Sequence, residues 1–296
     1  MTDTIFATID AGLRTGQVVP YLGPGALSGA VNKANGEAIP ADSESLILAM
    51  NGGKPMAPKL MYEFARAAMN QELKRGRSFV NRFLTTLYGE TEWTRAATHD
   101  WLKTIAPAYV IDINRDTQLQ HSYSDRPHTL ITGTARIGGT NYRFRIFHYD
   151  GTQYKEIEQG QVDTSLPVLF KPMGSPLPEP TYIASDADYV DYITELMGGF
   201  AIPGFIKEYR KGKQYLLLGM RLTRDTERMV LTDIIYDAGD PIGWALIPDA
   251  TDKEKRFCER IGLEIIEADI ETLIAYSDKT ATIDVDMAEQ SSMVGC

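Results

Sequence analysis

The fold is decided by residues 17–25, Gln17-Val18-Val19-Pro20-Tyr21-Leu22-Gly23-Pro24-Gly25, an apolar run that ends in a glycine turn. A short continuous apolar run bounded by such a turn predicts a buried strand of a parallel sheet. Because glycines have no side chain, the backbone amides can approach a phosphate at the start of the following helix. The stretch therefore predicts an α/β protein with a nucleotide pocket just after its first strand.

The rest of the chain repeats this alternation of strand and helix. An amphipathic helix over 3–16 precedes the first strand, with Ile5, Ile9 and Leu13 on one face. Further apolar strands are predicted at 108–114, 166–171, 214–219, 243–248 and 262–266, and helices at 58–70, 76–88, 94–105, 185–197 and 251–260. Strands that alternate with helices indicate βαβ units, and hence a Rossmann-like, doubly wound parallel sheet.

Residues 128–158 have a different pattern, in which apolar and polar residues alternate and Asp150-Gly151 forms a turn pair. This pattern is typical of an antiparallel meander with one wet face. We interpret residues 1–276 as one domain that carries an inserted antiparallel β subdomain at 121–165. Residues 277–296 lose the apolar periodicity, which predicts a mobile C-terminal tail.

The composition excludes several classes of function. The formal net charge of −10 disfavours nucleic-acid binding, which needs a basic surface. Two cysteines cannot supply a four-cysteine zinc site, and no metal-binding motif is present. The sequence shows no secretory signal and no apolar stretch long enough to span a membrane, so we expect a cytoplasmic protein. A homo-oligomer or a protein partner is an open alternative.

Four strand ends carry glycine, polar or charged residues: 23–25, 114–116, 171–175 and 219–225. In an open parallel sheet the carboxyl ends of the strands converge on one edge, where ligands bind. Taken singly, each of these segments is more often a structural turn, and the glycine turn lacks the full G-x-G-x-x-G spacing. Their order and spacing together carry the functional prediction.

These segments, in this order over residues 15–275, resemble the divergent bacterial SIR2-like domain group of the DHS-like NAD/FAD-binding superfamily. Val18–Gly25 is similar to that family's first strand and Gly-Ala-Gly-x-Ser loop, and Ile111–Asp116 to its Thr-x-Asn-x-Asp segment. Leu169–Ser175 stands where the family has Lys-Leu-His-Gly-Ser. Thr181–Tyr189 resembles its acidic-tyrosine segment, and Leu216–Asp225 its Gly-x-Ser-Leu-x-Asp strand end.

The resemblance implies a pocket for NAD or an ADP-ribose-like nucleotide. It places Asn114 and Asp116 at the nicotinamide-ribose end, where they would also be the catalytic residues. The implied cofactor-binding set is Gly23, Gly25, Ser28, Asn114, Asp116, Gly174, Gly219 and Arg221, with the first three at the phosphates and Gly219 near the adenosine ribose.

The chain also departs from the family. Met173 stands in the place of the family's histidine, and a thioether cannot accept a proton near neutral pH. Arg221 replaces a small hydroxyl residue, so its guanidinium would either clash with the dinucleotide or bind an extra phosphate. The zinc-binding cysteines of the protein-deacylating members are absent. His121 is the one histidine proposed as a replacement base, and His99 is expected to be a surface or half-buried residue.

Three functions follow from this reading. The first is a SIR2-like protein that binds NAD or a related nucleotide but is catalytically altered at Met173. The second is an active NAD glycohydrolase or deacylase-like enzyme that uses Asn114 and Asp116. The third is a non-catalytic structural or partner protein whose pocket is filled by Met173 and Arg221.

Overall fold

The computed structural model describes residues 2–135 and 142–280, and it has an α/β architecture with a large, mostly parallel sheet and flanking helices. The helices are α1 (Thr2–Thr15), α2 (Ser43–Met50), α3 (Phe64–Arg75), α4 (Arg77–Thr85), α5 (Ala97–Ile105), α6 (Gln118–Ser122), α7 (Asp186–Gly198), α8 (Gly204–Tyr209), α9 (Asp225–Ile234) and α10 (Asp252–Ile261). The strands are β1 (Val18–Leu22), β2 (Tyr109–Asp112), β3 (His128–Gly133), β4 (Phe144–Tyr149), β5 (Tyr154–Glu156), β6 (Val168–Lys171), β7 (Gly174–Ser175), β8 (Thr181–Tyr182), β9 (Gln214–Leu218), β10 (Gly243–Leu246) and β11 (Leu263–Ile266). A last helical segment covers 270–280.

The central sheet has nine strands in the order β11-β10-β9-β1-β2-β6-β3-β4-β5. Neighbours from β11 to β3 are parallel, whereas β3–β4 and β4–β5 are antiparallel. This confirms the predicted α/β class and is compatible with a Rossmann-like fold. Strand β1 pairs with β9 along its whole length, from Val18 opposite Gln214 to Leu22 opposite Leu218. The glycine turn after β1 therefore lies beside the turn after β9.

The antiparallel segment predicted at 128–158 is present, but it is not a sheet of its own. Strand β3 pairs with β6 in parallel on one side and with β4 on the other, so β3, β4 and β5 extend the edge of the central sheet. Only the small β7–β8 pair forms a second sheet among the described residues. Residues 136–141 of this segment lie outside the described residues.

Helices cover both faces of the sheet. Successive side chains of a strand point to opposite sides, so a strand that is buried on both sides contributes to two apolar clusters. In β1, Val19 and Tyr21 belong to one buried cluster with α7 to α10, whereas Val18 and Leu22 belong to another with α1 and α5. All five residues of β1 are buried, as the apolar run predicted. The strand therefore has no solvent-facing side, which explains why it lacks the apolar–polar alternation of a half-exposed strand.

A third apolar cluster is formed mostly by the part of the chain between β1 and α5, in which α3 packs on α2 and on α4. The predicted helix at 58–70 begins only at Phe64, whose amide donates to the Ser43 hydroxyl at 3.2 Å. This helical layer brings α2 and the start of α3 next to the glycine turn. Helix α9, which sequence reasoning did not predict, reaches the same place, and the hydroxyl of Thr226 in its first turn donates to Glu63 just before α3.

The C-terminal helical segment packs against α1. Leu273 is fully buried, and the Ser277 hydroxyl donates to Asp10 at 2.6 Å. Residues 277–280, predicted as the start of a tail, therefore continue this helix, and the remaining residues of that prediction, 281–296, lie outside the described residues. Among the described residues, no helix combines the length and the apolar character needed to cross a lipid bilayer.

Candidate functional site

The strand order reverses between β1 and β9. After β1 the chain continues to β2 on one side, and after β9 it continues to β10 on the other. In open α/β sheets, ligands bind outside the carboxyl ends of the strands at such a reversal, because the two connections diverge and leave a crevice. The glycine turn after β1 and Gly219 after β9 border this crevice.

A cleft of about 620 Å³ lies at the reversal, and we call it the outer cleft. Four of the predicted cofactor-binding residues line it together: Gly25, Ser28, Gly219 and Arg221. Residues from α2 and from the first turn of α9 complete its wall. The tertiary structure thus brings together residues that are almost 200 positions apart in the chain.

A smaller cavity of about 60 Å³ adjoins the outer cleft, and we call it the inner cavity. Asn114 and Met173 line it, together with tyrosines from β1 and α7. Pro24 and Glu227 belong to the walls of both spaces, so the two are neighbours. Met173 is only 3% exposed, so its thioether occupies the wall where the resemblance expects an imidazole.

The two strand ends meet at Gly25 and Gly219, backbone against backbone. A Cβ atom on Gly25 would lie 2.8 Å from the Cα of Gly219, and one on Gly219 would lie 2.4 Å from the amide nitrogen of Ala26. The amides of Gly23 and Gly25 donate to the carbonyls of Leu218 and Gly219 at 2.8 and 2.9 Å. These amides are therefore used within the fold, and the role predicted for them at a phosphate is not one that this conformation offers.

The other predicted cofactor residues differ in position. Ser28 is exposed in the outer cleft, and its amide donates to the carbonyl of Gly25 at 3.1 Å. Gly174 lies in β7 opposite Tyr182, and it is not among the described residues that line either space. A Cβ on Gly174 would lie 1.9 Å from the carbonyl oxygen of Thr181, so glycine is required there for strand pairing.

Arg221 is held by two carboxylates. Its guanidinium donates to Asp249 at 2.6 Å and, through two nitrogens, to the buried Glu254 at 3.2 Å. An extra phosphate would have to compete with both. Arg224, at the start of α9, is a second cation of the outer cleft, and its guanidinium lies 3.7 Å from the centre of the Tyr62 ring.

Asn114 ties β2 to the glycine turn. Its side-chain nitrogen donates to the carbonyl of Gly23 at 2.8 Å and to Asp112 at 2.9 Å. Both amide hydrogens are thus engaged, and only the carbonyl oxygen of the side chain is left for a ligand in the inner cavity. Asn114 therefore lies at the predicted site, where its side chain connects the end of β2 to the glycine turn after β1.

Asp116 and His121, the other predicted catalytic residues, are not among the described residues that line either space. Asp116 is 1% exposed, and one of its oxygens accepts from the amide of Gln118 at 2.7 Å. His121 is exposed on α6, where partial burial lowers the pKa of its imidazole. Asp116 lies two residues before the short helix α6 and is buried, whereas His121 lies within that helix and is exposed.

His99, which the sequence predicted to be at the surface or half-buried, is fully buried. It is 0% exposed on α5, and burial lowers the pKa of its imidazole to about 4. One of its ring nitrogens lies within 4.8 Å of a carboxylate oxygen of Asp112 and of one of Asp116. The sequence signal that could have found it is the i, i+3 spacing to Leu102, which points into the core.

Asp112 forms a fully buried ion pair with Lys171, whose ammonium lies 2.5 Å from the carboxylate. Burial raises the pKa of Asp112 to about 6, although the neighbouring Lys171 acts in the opposite direction. Both residues end neighbouring strands, β2 and β6. The pair neutralises two charges that could not be buried separately.

Glu227 was missed by sequence reasoning, because its segment was not predicted to be helical. It lies in the first turn of α9 and belongs to the walls of both spaces. Burial, with the nearby carboxyl of Glu63, raises its pKa to about 7. Its Oε2 atom is buried and has no hydrogen-bond partner among the described residues. A carboxyl group in this state can exchange a proton with a ligand near neutral pH.

Comparisons with known proteins add no family to this description. No family model matches the chain, and no curated protein matches its sequence.

Proposed function

We propose that this chain is a SIR2-like protein that binds NAD or an ADP-ribose-like nucleotide in the outer cleft, with an altered catalytic end. The observation that carries this proposal is the position of the cleft. It lies at the reversal of strand order and is lined together by Gly25, Ser28, Gly219 and Arg221. The resemblance of these segments to the SIR2-like group selects the ligand class.

The proposed orientation follows from the two spaces. Gly219 and Ser28 border the outer cleft, whose volume of about 620 Å³ is within the range of pockets for drug-sized molecules. Asn114 borders the inner cavity. We therefore orient the adenosine diphosphate in the outer cleft and the nicotinamide-ribose end toward Asn114 and Met173.

Three features favour binding without the usual chemistry. Met173 supplies no base, both amide hydrogens of Asn114 are engaged, and Asp116 points into the protein. The filled-pocket alternative is less favoured, because Arg221 turns away to Asp249 and Glu254 and leaves the outer cleft open.

One observation favours the alternative of an active NAD glycohydrolase or deacylase-like enzyme. The carboxyl of Glu227 belongs to both walls, and its raised pKa suits a general base near neutral pH. In such an enzyme, Glu227 would take the place of the missing histidine.

The test is thermal stability in the presence of NAD, ADP-ribose, AMP and nicotinamide, followed by calorimetry. At a ligand concentration about a hundredfold above Kd, the stabilisation is about 2.7 kcal/mol. A Ser28→Tyr variant places a ring in the outer cleft and should abolish the effect, whereas Ser124→Tyr, at an exposed position beside α6, should preserve it. No stabilisation of the wild-type chain by any of these ligands at millimolar concentration would overturn the proposal.

A second measurement separates the binder from the enzyme. NAD incubated with the chain should give no nicotinamide above the blank. Release that is lost in Glu227→Gln would instead establish the enzymatic alternative.

A further inference from the structure

Three buried side chains meet behind the inner cavity: His99 from α5, Asp112 at the end of β2, and Asp116 just after it. They are 0%, 0% and 1% exposed, and one donor atom from each lies within 4.8 Å of the others. None of these three side chains lines the outer cleft or the inner cavity, so the group is separate from both spaces.

Two of these side chains carry buried polar atoms that form no hydrogen bond with a described residue. Neither ring nitrogen of His99 has a partner among the described residues, and the same holds for Oδ2 of Asp116. A buried carboxylate oxygen without a partner is costly, and buried charges are normally paired or bound to a metal. The unpartnered atoms therefore point to a species that binds Oδ2 of Asp116 and one ring nitrogen of His99.

Asp112 retains acceptor capacity for the same species. Its Oδ1 accepts from the amide and side-chain nitrogens of Asn114, and its Oδ2 accepts from Lys171. A carboxylate has about four acceptor positions, so one lone pair of Oδ2 is still available.

The charge of the group calls for a further cation. Asp112 is paired with the ammonium of Lys171, whereas the buried Asp116 forms no ion pair with a described residue, and a neutral imidazole adds no charge. The neutral imidazole is the form of histidine that binds metals. One imidazole nitrogen with two carboxylate oxygens is a donor set for a divalent first-row ion such as Zn²⁺ or Mn²⁺.

The spacing of the three donor atoms is compatible with one shared ion. Metal–ligand bonds of about 2.0–2.2 Å in a tetrahedral site put two ligands about 3.3–3.6 Å apart. The donor atoms lie within 4.8 Å of one another, so small rotations of the side chains would bring them to one ion.

We propose that His99, Asp112 and Asp116 form a buried binding site for one divalent transition-metal ion of the Zn²⁺ or Mn²⁺ class. The ion would anchor the carboxylate of Asp112, which holds Asn114, which in turn holds the carbonyl of Gly23. Its role is to stiffen the connection between β2 and the glycine turn. This proposal does not depend on the nucleotide, since it rests on a separate group of residues.

The test uses the untagged full chain, stripped with a chelator, then titrated with Zn²⁺ or Mn²⁺ by calorimetry, with the bound metal counted by elemental analysis. We expect one ion per chain. His99→Gln and Asp116→Asn should each weaken binding by at least about 100-fold, since even residues that only support ligands contribute 10–100-fold. His148→Gln, on β4, is the matched control and should bind as the wild-type chain does.

A Lys171→Met variant distinguishes a metal site from a purely structural cluster. Removing the ammonium leaves two unbalanced carboxylates, so the metal-free variant should be less stable than the wild-type chain. Zn²⁺ should then raise its Tm by more than it raises that of the wild-type chain. The proposal is overturned if the stripped wild-type chain binds neither ion with saturable one-to-one stoichiometry. It is also overturned if His99→Gln and Asp116→Asn both bind as the wild-type chain does, in which case a water molecule is the bridging species.

Discussion

Gly25 and Gly219 hold the ends of β1 and β9 together, with the amide of Gly25 donating to the carbonyl of Gly219 at 2.9 Å. Gly219 has φ +69°, and neither residue has room for a Cβ atom. The contact joins two turns that are far apart in the chain, and it forms the floor of the outer cleft. Its glycines are therefore required for folding.

Gly219→Ala should be strongly destabilising. The positive φ costs about 1–2 kcal/mol for a residue with a Cβ, and the clash with the backbone of Ala26 adds about 1–3 kcal/mol. Gly212→Ala is the matched control, because Gly212 has φ +70° but no atom within 4 Å of its would-be Cβ. Urea unfolding of both variants isolates the packing cost, and equal losses would contradict the close contact.

The free energy of unfolding should decrease as the pH rises from about 4.5 to about 7, because of the titration of Glu227. Its pKa rises from 4.5 in the unfolded chain to about 7 in the fold, so the unfolded state releases the proton first. Unfolding therefore releases a proton in this window, and raising the pH favours unfolding by about 1–3 kcal/mol in total. Glu227→Gln should remove this part of the pH dependence, while Glu259→Gln, exposed on α10, should retain it. Free energies of unfolding at several pH values provide the measurement.

Arg224→Met should weaken the binding of nucleotides that carry phosphates. Loss of one charge-assisted hydrogen bond costs about 1.5–3 kcal/mol, which corresponds to roughly tenfold or more in Kd. Adenosine, which has no phosphate, should be little affected. Arg256→Met, exposed on α10, is the control for the change in net charge. Calorimetry with ADP-ribose and adenosine decides the matter, and equal losses for both would argue against a phosphate at Arg224.

Leu273→Ala should cost about 2–5 kcal/mol, the range found for buried leucines, because Leu273 is fully buried beside α1. Leu73→Ala is the control, since Leu73 is 75% exposed on α3 and should change stability by less than about 0.5 kcal/mol. Chemical unfolding compares the two. A small loss at Leu273 would indicate that the segment 270–280 is not part of the core.

Much of the fold was predictable because its signals are local. Buried strands such as β1 and β9 have continuous apolar runs, since both of their faces are covered by helices. The polar strand ends were predicted to converge, and Gly25, Ser28 and Gly219 do line one cleft. These inferences need only the residues of one segment and the general geometry of a parallel sheet.

The missed features depend on pairings between distant segments. The burial of His99 depends on how α5 packs on the sheet. The engagement of Arg221 depends on Glu254, which lies 33 residues further on. The importance of Glu227 depends on where α9 begins. The antiparallel strands were predicted, but only pairing with β6 shows that they extend the central sheet.

The sequence by itself determined the class of the fold and the edge of the sheet where its special residues gather, because hydrophobic period and turn chemistry are local properties. The tertiary structure decided which of those residues are free to act. It committed the amides of Gly23 and Gly25 to β9, Arg221 to two carboxylates and Asn114 to Gly23, and it buried His99 beside two aspartates. A hydrogen-bond donor can be assigned to a ligand only when its partners across the fold are known, and those partners are set by packing.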